Sequence, residues 1–444
     1  MGASPRRSEE RRDETISTTT LRSNEESVSD EGNIEQVERQ EETRGKHTCD
    51  SRQSVCDGKN FQEIEEEQAT GSNQLGESGE ATEGRNRSAT YLEEILQHCG
   101  QTEVLTWKDI SAGSQFEKWN NIGEGAFSEV FLGYFRRHKC CVKIIPINGP
   151  HRQYTEVEHS IDDVVPEMAI SLELNKLREY KYGWRTPNLL LVYGVRCLQG
   201  KYPRPLQEAW DMFASINSTF KEHPNEAPED QLYLLIFMEH VAVTFDKLLY
   251  CHVKNPEELF KQLMVTVYIL EKKFKFVHRD LHVGNILMKY RQLQRTTYAI
   301  EGRKYAPRAH GLSCYMMDYG LSRFEIGNRL YYTKLPSDSE IVEGSEDHAH
   351  MLPLMRDLLR NSWAGYNPKT NVLWIAYLID VFANGTDYLG ATLAAAKKER
   401  LLNIKRQVEQ CNSSEKTLLI TELFPPTTQF VRNIRTNANL RSTR

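Results

Sequence analysis

The sequence predicts an α+β architecture in two lobes, a small β-rich one followed by a larger helical one. Three observations lead there. Apolar residues alternate or run around a glycine pair in "FEKWNNIGEGAFSEVFLGYFRRHKCCVKIIPI", Phe116 to Ile147, the pattern of a hairpin feeding a third strand. The apolar run "QLYLLIFMEH", Gln231 to His240, reads as a buried strand that closes this half. Beyond it, apolar residues recur at helical spacing, first at Leu259, Leu263, Val267 and Leu270, then through "NVLWIAYLIDVFANG" and "LGATLAAAKKERLLNIKRQ". Two lobes of different make leave a cleft between them, and clefts of that kind hold ligands.

In chain order, residues 1–90 carry 12 Lys and Arg against 21 Asp and Glu, with few large apolar side chains. Such a segment buries too little surface to offset its ordering entropy, so a disordered acidic tail is expected. Order is expected from "TYLEEILQHC", where Leu92, Ile95, Leu96 and Cys99 share a helical face. Residues 91–240 then form the first lobe and residues 241–444 the second. Within the first, "VVPEMAISLELNKLREY" is expected as a helix with Pro166 near its first turn and Ile170, Leu174 and Leu177 on one face. The second opens at Asn255-Pro256-Glu257-Glu258, a helix start with a capping-box pattern. "NILMKY" and "SCYMMDYG" read as two short strands joined by a polar excursion from Arg291 to Leu312.

The bulk numbers exclude several classes. After residue 90 the chain is close to charge balance, which argues against direct nucleic-acid binding. Nine cysteines without a C-x-x-C pair give neither a disulfide framework nor a zinc signature, so reduced thiols are expected. No run of about 18 apolar residues exists to cross a bilayer, and the amino terminus lacks a signal core, so a soluble, intracellular protein is expected. A monomer that binds no membrane is expected as well.

The chemistry resides in four places. Gly123-x-Gly125-x-x-Ser128, followed by Val130, lies between two strands; alone it is as consistent with an ordinary hairpin as with a phosphate cover. Since it opens no helix, the dinucleotide-binding reading fails. In "CCVKII", Cys141 and Lys143 share one face of a strand and Val142 and Ile144 the other. Lys143 is then either a lysine whose stem lies along the surface or a phosphate contact, held in the second case by Glu167 or Glu173 on the next helix. The third place is His278-Arg279-Asp280-x-x-x-x-Asn285, and the fourth Asp318-Tyr319-Gly320, together matching the order H-R-D-x-x-x-x-N then D-x-G. Phosphoryl transfer needs an in-line hydroxyl, metal ions that bridge the phosphates and fixed charge where charge moves. Asp280 is placed to receive the hydroxyl proton, and Asn285 and Asp318 are oxygen ligands of the kind Mg²⁺ prefers. Arg279 is expected to brace the loop and His278 to pack rather than react.

These residues resemble a eukaryotic protein kinase, and the flanking "IGEGAFSEVF", "VKIIPI", "PEMAIS", "VRCLQGKYP", "EAWD", "HRDLHVGNIL", "DYGLSRFE" and "YNPKTNVLWIAYL" resemble the haspin family. The resemblance implies a kinase-like bilobal fold, ATP and Mg²⁺ as cofactors, and phosphorylation of a threonine in a histone tail on nuclear chromosomes. It implies that Gly123, Glu124, Gly125, Ala126, Phe127, Ser128 and Val130 cover the nucleotide, that Lys143 and Glu167 position its phosphates, that Met238 is the gatekeeper and that Glu239 begins the hinge. It places His282 in the catalytic loop, and Glu124 and Asp347 against the basic substrate. Departures from the family pattern fall mostly outside the nucleotide site. Ser345 and Glu346 stand where an acidic partner of Asp347 is expected, Val241 and Ala242 replace hinge glycines, and Asp246 is displaced from its expected place. "MLPL" at Met351–Leu354 lacks an aspartate expected to brace the catalytic loop, and Gly320 replaces a threonine. A lysine at His282 would carry fixed charge, whereas an imidazole titrates near neutral pH. Two rival readings are a pseudokinase acting as a nucleotide-gated binding module and a small-molecule kinase with a similar H-x-D loop.

Overall fold

The computed structural model describes residues 91–434 except 112–118, 126–127, 136–137, 148–160, 181, 218, 220, 242, 246–252, 254, 291–294, 308–310, 334–349, 387–389 and 427–431. The acidic tail 1–90 therefore lies outside the described residues, as do Ala126, Phe127, Ala242, Asp246, Ser345, Glu346 and Asp347. The described residues belong to one compact unit, Gly76–Arg444.

The first lobe is built on a six-stranded sheet in the order β1-β5-β6-β4-β3-β2. Its strands are β1 (Leu105–Thr106), β2 (Asn120–Gly125), β3 (Ser128–Phe135), β4 (His138–Ile147), β5 (Val192–Gln199) and β6 (Leu232–Glu239). The β1–β5 pair is parallel and the other pairs of this sheet are antiparallel. The alternation of β4 decides its two faces. Cys140, Val142 and Ile144 join Phe131, Leu198, Leu206, Tyr233 and Phe237 in an outer apolar cluster. Ile145 and Ile147 turn the other way, onto α3 (Ile161–Asn175) and its Val164, Val165 and Met168. Full burial of such side chains is worth roughly 1.5–3 kcal/mol each, so a strand with two dry faces is firmly seated.

Helix α1 spans 91–99 and buries Ile95 and Cys99, as its spacing predicts; α2 (Trp107–Ser111) follows β1. In α3, Pro166 stands sixth rather than in the first turn, where its ring removes one backbone donor without ending the helix. A further helix, α4 (Arg204–Ile216), packs on β2 through Leu206, Ala209 and Trp210. The first lobe thus holds more helix than the one expected.

The second lobe centres on α5 (Glu257–Phe274), which buries the expected stripe of Leu259, Leu263, Val267 and Leu270 and also most of the rest of its circumference, including Phe260, Met264, Tyr268 and Glu271. Its capping differs from expectation: the N-cap position falls at Pro256 without a side-chain bond, and only the Asn255 carbonyl takes part, accepting the Glu258 N–H at 3.2 Å. At the other end Lys275 turns left-handed (φ 45°) and releases the chain into the loop that carries Asp280 and Asn285. Strands β7 (Val243–Thr244), β8 (Ile286–Tyr290) and β11 (Leu312–Met316) form a three-stranded sheet with β8 central. The polar excursion before β11 contains an unanticipated hairpin, β9 (Tyr298–Ile300) with β10 (Arg303–Tyr305). A second one, β12 (Arg323–Ile326) with β13 (Arg329–Tyr332), follows Asp318.

Helices α6 (Met351–Leu359), α7 (Lys369–Asn384), α8 (Ala395–Glu409) and α9 (Ser414–Thr417) complete the lobe. One apolar cluster runs from Ile95 and Met168 through Leu263 and Trp374 to Leu401, so the lobes share a core. Among the described residues no helix is long and apolar enough to cross a membrane.

Candidate active site

Cross-strand partners on an antiparallel sheet share a face. Val130 on β3 and Ile236 on β6 flank Lys143, and Leu132 and Met238 flank Cys141, so these side chains line the face of the sheet turned toward α3. Lys143 is 8% exposed, which excludes a surface lysine. Its ammonium lies 2.6 Å from Glu167 Oε1 and 3.0 Å from Asp318 Oδ2. Glu173, the rival partner, pairs with Lys176 instead. Burial works against the Lys143 charge, but the Asp318 and Glu167 carboxylates outweigh it and hold its pKa above the ordinary ammonium range. Burial likewise opposes ionisation of Asp318, and Lys143 reverses the balance, so that carboxyl stays below its usual range. Lys143 and Asp318 are therefore both charged near neutral pH.

Asp318 reaches this position through a left-handed backbone (φ 59°), a conformation that aspartate tolerates better than most residues. Its Oδ1 accepts the Gly320 N–H at 3.3 Å, and Thr333 donates to the Gly320 carbonyl at 2.6 Å, fixing the turn from both sides. A Cβ at Gly320 would stand 3.4 Å from both Asp318 Oδ1 and Glu167 Oε2, so the glycine leaves the pair uncrowded.

The loop spanning 278–285 enters from the end of α5. Asn285 donates to the Asp280 carbonyl at 2.7 Å and to its Oδ2 at 3.1 Å, which leaves the amide oxygen as the atom able to face a cation. The Asn285 carbonyl accepts the Met317 N–H at 3.2 Å, which sets it beside Asp318. His282 Nδ1 accepts the Gly284 N–H at 3.1 Å, so the ring proton belongs on Nε2, 3.8 Å from Asp280 Oδ2. In this arrangement the imidazole stands beside Asp280, with its orientation set by the Gly284 bond. Gly284 has to be small: a Cβ there would meet the ring at 2.8 Å.

The brace expected from an aspartate at Met351 is supplied by a residue the sequence reading passed over. Asn371, fully buried on α7, accepts the His278 N–H at 3.0 Å and donates at 2.9 Å to both the Phe276 carbonyl and Glu271 Oε1. Glu271 on α5 in turn accepts from the Ser414 hydroxyl and, at 3.2 Å, from its N–H. His278 donates through Nε2 to the Met317 carbonyl at 3.1 Å, and burial depresses its pKa to about 4, so it packs as a neutral ring. Arg279 is buried, has φ 68°, and donates to the Trp363 carbonyl while lying over that indole. Its Nε and Nη1 find no partner among the described residues, and burial beside Arg323 lowers its pKa to about 9.

At the rim, Gly123 and Gly125 lie in β2 and Ser128 opens β3, opposite Gly125. A Cβ at Gly123 would meet nothing within 4 Å, so the hairpin has room for a ligand beneath it. The Glu124 carboxylate accepts from Thr219 at 2.7 Å. Met238 and Glu239 end β6; the Glu239 side chain points to structure, accepting from Leu191 N at 2.8 Å and Arg178 at 2.7 Å. Lys143, Glu167, Asp280, His282, Asn285 and Asp318 are thus linked around one crevice through the bonds above, whereas Ala126, Phe127 and Asp347 lie outside the described residues.

The donor set fits Mg²⁺. An amide oxygen and an ionised carboxylate are hard ligands, and this ion usually takes only one or two carboxylates from protein and the rest from phosphates and water. A charged lysine between two carboxylates, backed by a carboxylate held by an asparagine, has the chemistry to grip a polyphosphate and deprotonate an alcohol.

Comparison with known proteins agrees with this geometry. The profile of the family described as "Haspin like kinase domain" matches residues 63–422. The Mus musculus serine/threonine-protein kinase haspin is 29% identical over 319 residues, 71% of this chain and 42% of that protein. The Bos taurus protein of the same name is 28% identical over 302 residues, 67% of this chain and 38% of its own length. The Arabidopsis thaliana serine/threonine-protein kinase haspin homolog is 27% identical over 333 residues, 73% of this chain and 54% of its own. The chain thus spans about half the length, or less, of these relatives. A profile match that runs from before the first helix to the last helices leaves no separate part of the fold to explain: this chain belongs to the haspin-like protein kinases.

Proposed function

We propose that this chain transfers the γ-phosphoryl group of ATP, with Mg²⁺, to a serine or threonine hydroxyl of a protein, and that its acceptor is a threonine in a histone tail on nuclear chromosomes. The observation that carries the reading is the bridge made by Lys143 between Glu167 of the first lobe and Asp318 of the second, next to Asn285 bonded to Asp280. In this reading Lys143 holds the phosphates, Glu167 holds Lys143, and Asp280 accepts the hydroxyl proton as the new oxygen–phosphorus bond forms and ADP leaves. Mg²⁺, held by Asn285 and Asp318, would neutralise charge on the phosphates. His282 orients Asp280, and Met238 and Glu239 border the base of the nucleotide. The histone tail follows from the family resemblance and from the acidic Glu124 at the hairpin rim.

The rival reading of a nucleotide-gated module without transfer rests on the missing brace near Met351 and on the altered tail-binding residues; Asn371 supplies the brace from another helix. The test is an incubation of the full chain with Mg²⁺, labelled ATP and a peptide of the histone H3 amino terminus. Label on the wild-type peptide, absent from a threonine-to-alanine peptide, supports the proposal. Thermal stabilisation by ATP without transfer to the peptide or to whole histones would favour the module. Transfer to a small alcohol alone would favour the small-molecule kinase.

A further inference from the structure

The glycine hairpin β2–β3 has an outer face whose contacts the proposed reaction does not use. Val130 faces the crevice beside Lys143, so Glu129 and Phe131 face away from it, toward the outer cluster and α4. The Glu129 carboxylate is buried there, where it accepts from the Tyr202 hydroxyl at 2.7 Å and from the Trp210 side chain. After α4 the chain returns across the hairpin. Thr219 donates its hydroxyl to Glu124 Oε2 at 2.7 Å and accepts the Lys221 N–H at 3.2 Å. Lys221 then donates its ammonium to the Ser128 carbonyl at 2.6 Å, facing Glu129 and Glu124. The returning segment is itself anchored: His223 bonds Asp211 at 2.9 Å and packs edge-on against Trp210, ring centroids 4.8 Å apart.

We infer that Lys221 is a positioning residue for the nucleotide phosphates, acting through the Ser128 carbonyl to hold the glycine hairpin at the height where its backbone N–H groups meet them. The physical ground is entropy. Glycines at 123 and 125 give the hairpin backbone freedom that side-chain-bearing residues lack, and that freedom is lost when it closes on a ligand. A charge-assisted bond to Ser128, one residue beyond the hairpin tip, removes part of it beforehand. Burial lowers the Lys221 pKa, and Glu129 and Glu124 work to keep the charge. The same side chain gives the buried Glu129 its counter-charge, so the clamp and the neutralisation are one feature.

The inference rests on the kinase reading, and the test separates the two. Full-length wild type, Lys221→Met and Lys221→Arg are titrated calorimetrically with Mg-ATP and with adenosine. Lys221→Met should weaken Mg-ATP about tenfold, the scale of one charge-assisted hydrogen bond, and leave adenosine unchanged, because the clamp acts at Ser128, the end of the hairpin assigned to the phosphates. Lys221→Arg should restore most of the loss. Should Lys221→Met fail to fold, Thr219→Val, which frees Glu124 and the Lys221 backbone, should shift Mg-ATP in the same direction with adenosine again unmoved. Equal weakening of both ligands, or no change in either, overturns the inference while leaving the kinase reading intact. A wild type that binds Mg-ATP no better than adenosine denies the phosphates any hold and overturns both.

Discussion

Gly284 and Asp318 show how single residues set the crevice. The ring of His282 packs where a Cβ on residue 284 would lie, so Gly284→Ala has to displace the imidazole from Asp280. We expect Gly284→Ala to lower kcat about tenfold or more, a part of what general-base help contributes, with the KM for ATP little changed. Steady-state kinetics separate the two parameters; a raised KM with normal kcat would assign His282 to binding instead. Asp318→Asn keeps shape and removes charge. It should weaken nucleotide binding in Mg²⁺ much more than in EDTA, measured by titration with ATP in both, whereas equal effects would mean that the carboxylate serves Lys143 alone. At this scale the sequence was informative. Asp280, His282 and Asn285 lie within a few positions of one another, so local spacing places them together whatever the fold. Lys143 and Glu167 needed the sheet and α3 to meet, and only the folded ion pairs, Glu167 with Lys143 and Glu173 with Lys176, decided between the two glutamates.

At the scale of elements, α5, α7 and α9 meet at Glu271. The Asn371 that braces His278 is 93 residues away along the chain, and the Ser414 that shares Glu271 is 143 away. No local pattern announces such contacts, because an asparagine inside an apolar helix looks the same whether it is bonded or not. The brace accordingly stands on α7, at Asn371, and not at Met351. Truncation in Asn371→Ala leaves the buried His278 N–H and Phe276 carbonyl without partners, each costing about 1–3 kcal/mol, so both thermal stability and kcat should fall. An unaltered melting temperature in calorimetry would contradict the burial of that network. Burial pushes the Glu271 carboxyl from an ordinary 4.5 up to about 7, against the bonds from Ser414 and Asn371 that pull it down. The folded state therefore holds this proton more tightly than the unfolded chain. Its contribution to stability is full below about pH 4.5 and is lost as the pH rises through about 7. Urea unfolding of wild type and Glu271→Gln across that window should show the variant with the flatter pH dependence; identical slopes would place the titrating group elsewhere. The α4 helix escaped the sequence reading for a related reason, since its buried stripe is only Leu206, Ala209 and Trp210.

At the scale of the whole molecule, the order of strand-rich and helical segments carried the two-lobed fold, while the hairpins β9–β10 and β12–β13 have strands of only three and four residues, too short for a periodicity to stand out. The lobes share one apolar core, and their charged groups converge where that core opens. The account depends on this convergence serving one reaction, with grip on the nucleotide and removal of the hydroxyl proton assigned to different side chains. The most direct test compares wild type with Asp280→Asn in two readouts on the same protein: transfer of label from ATP to the histone-tail peptide, and affinity for Mg-ATP. The account predicts that transfer falls by about 10² to 10⁴ while Mg-ATP affinity stays within about threefold. Transfer that survives the substitution, or falls only in step with lost nucleotide affinity, would contradict it.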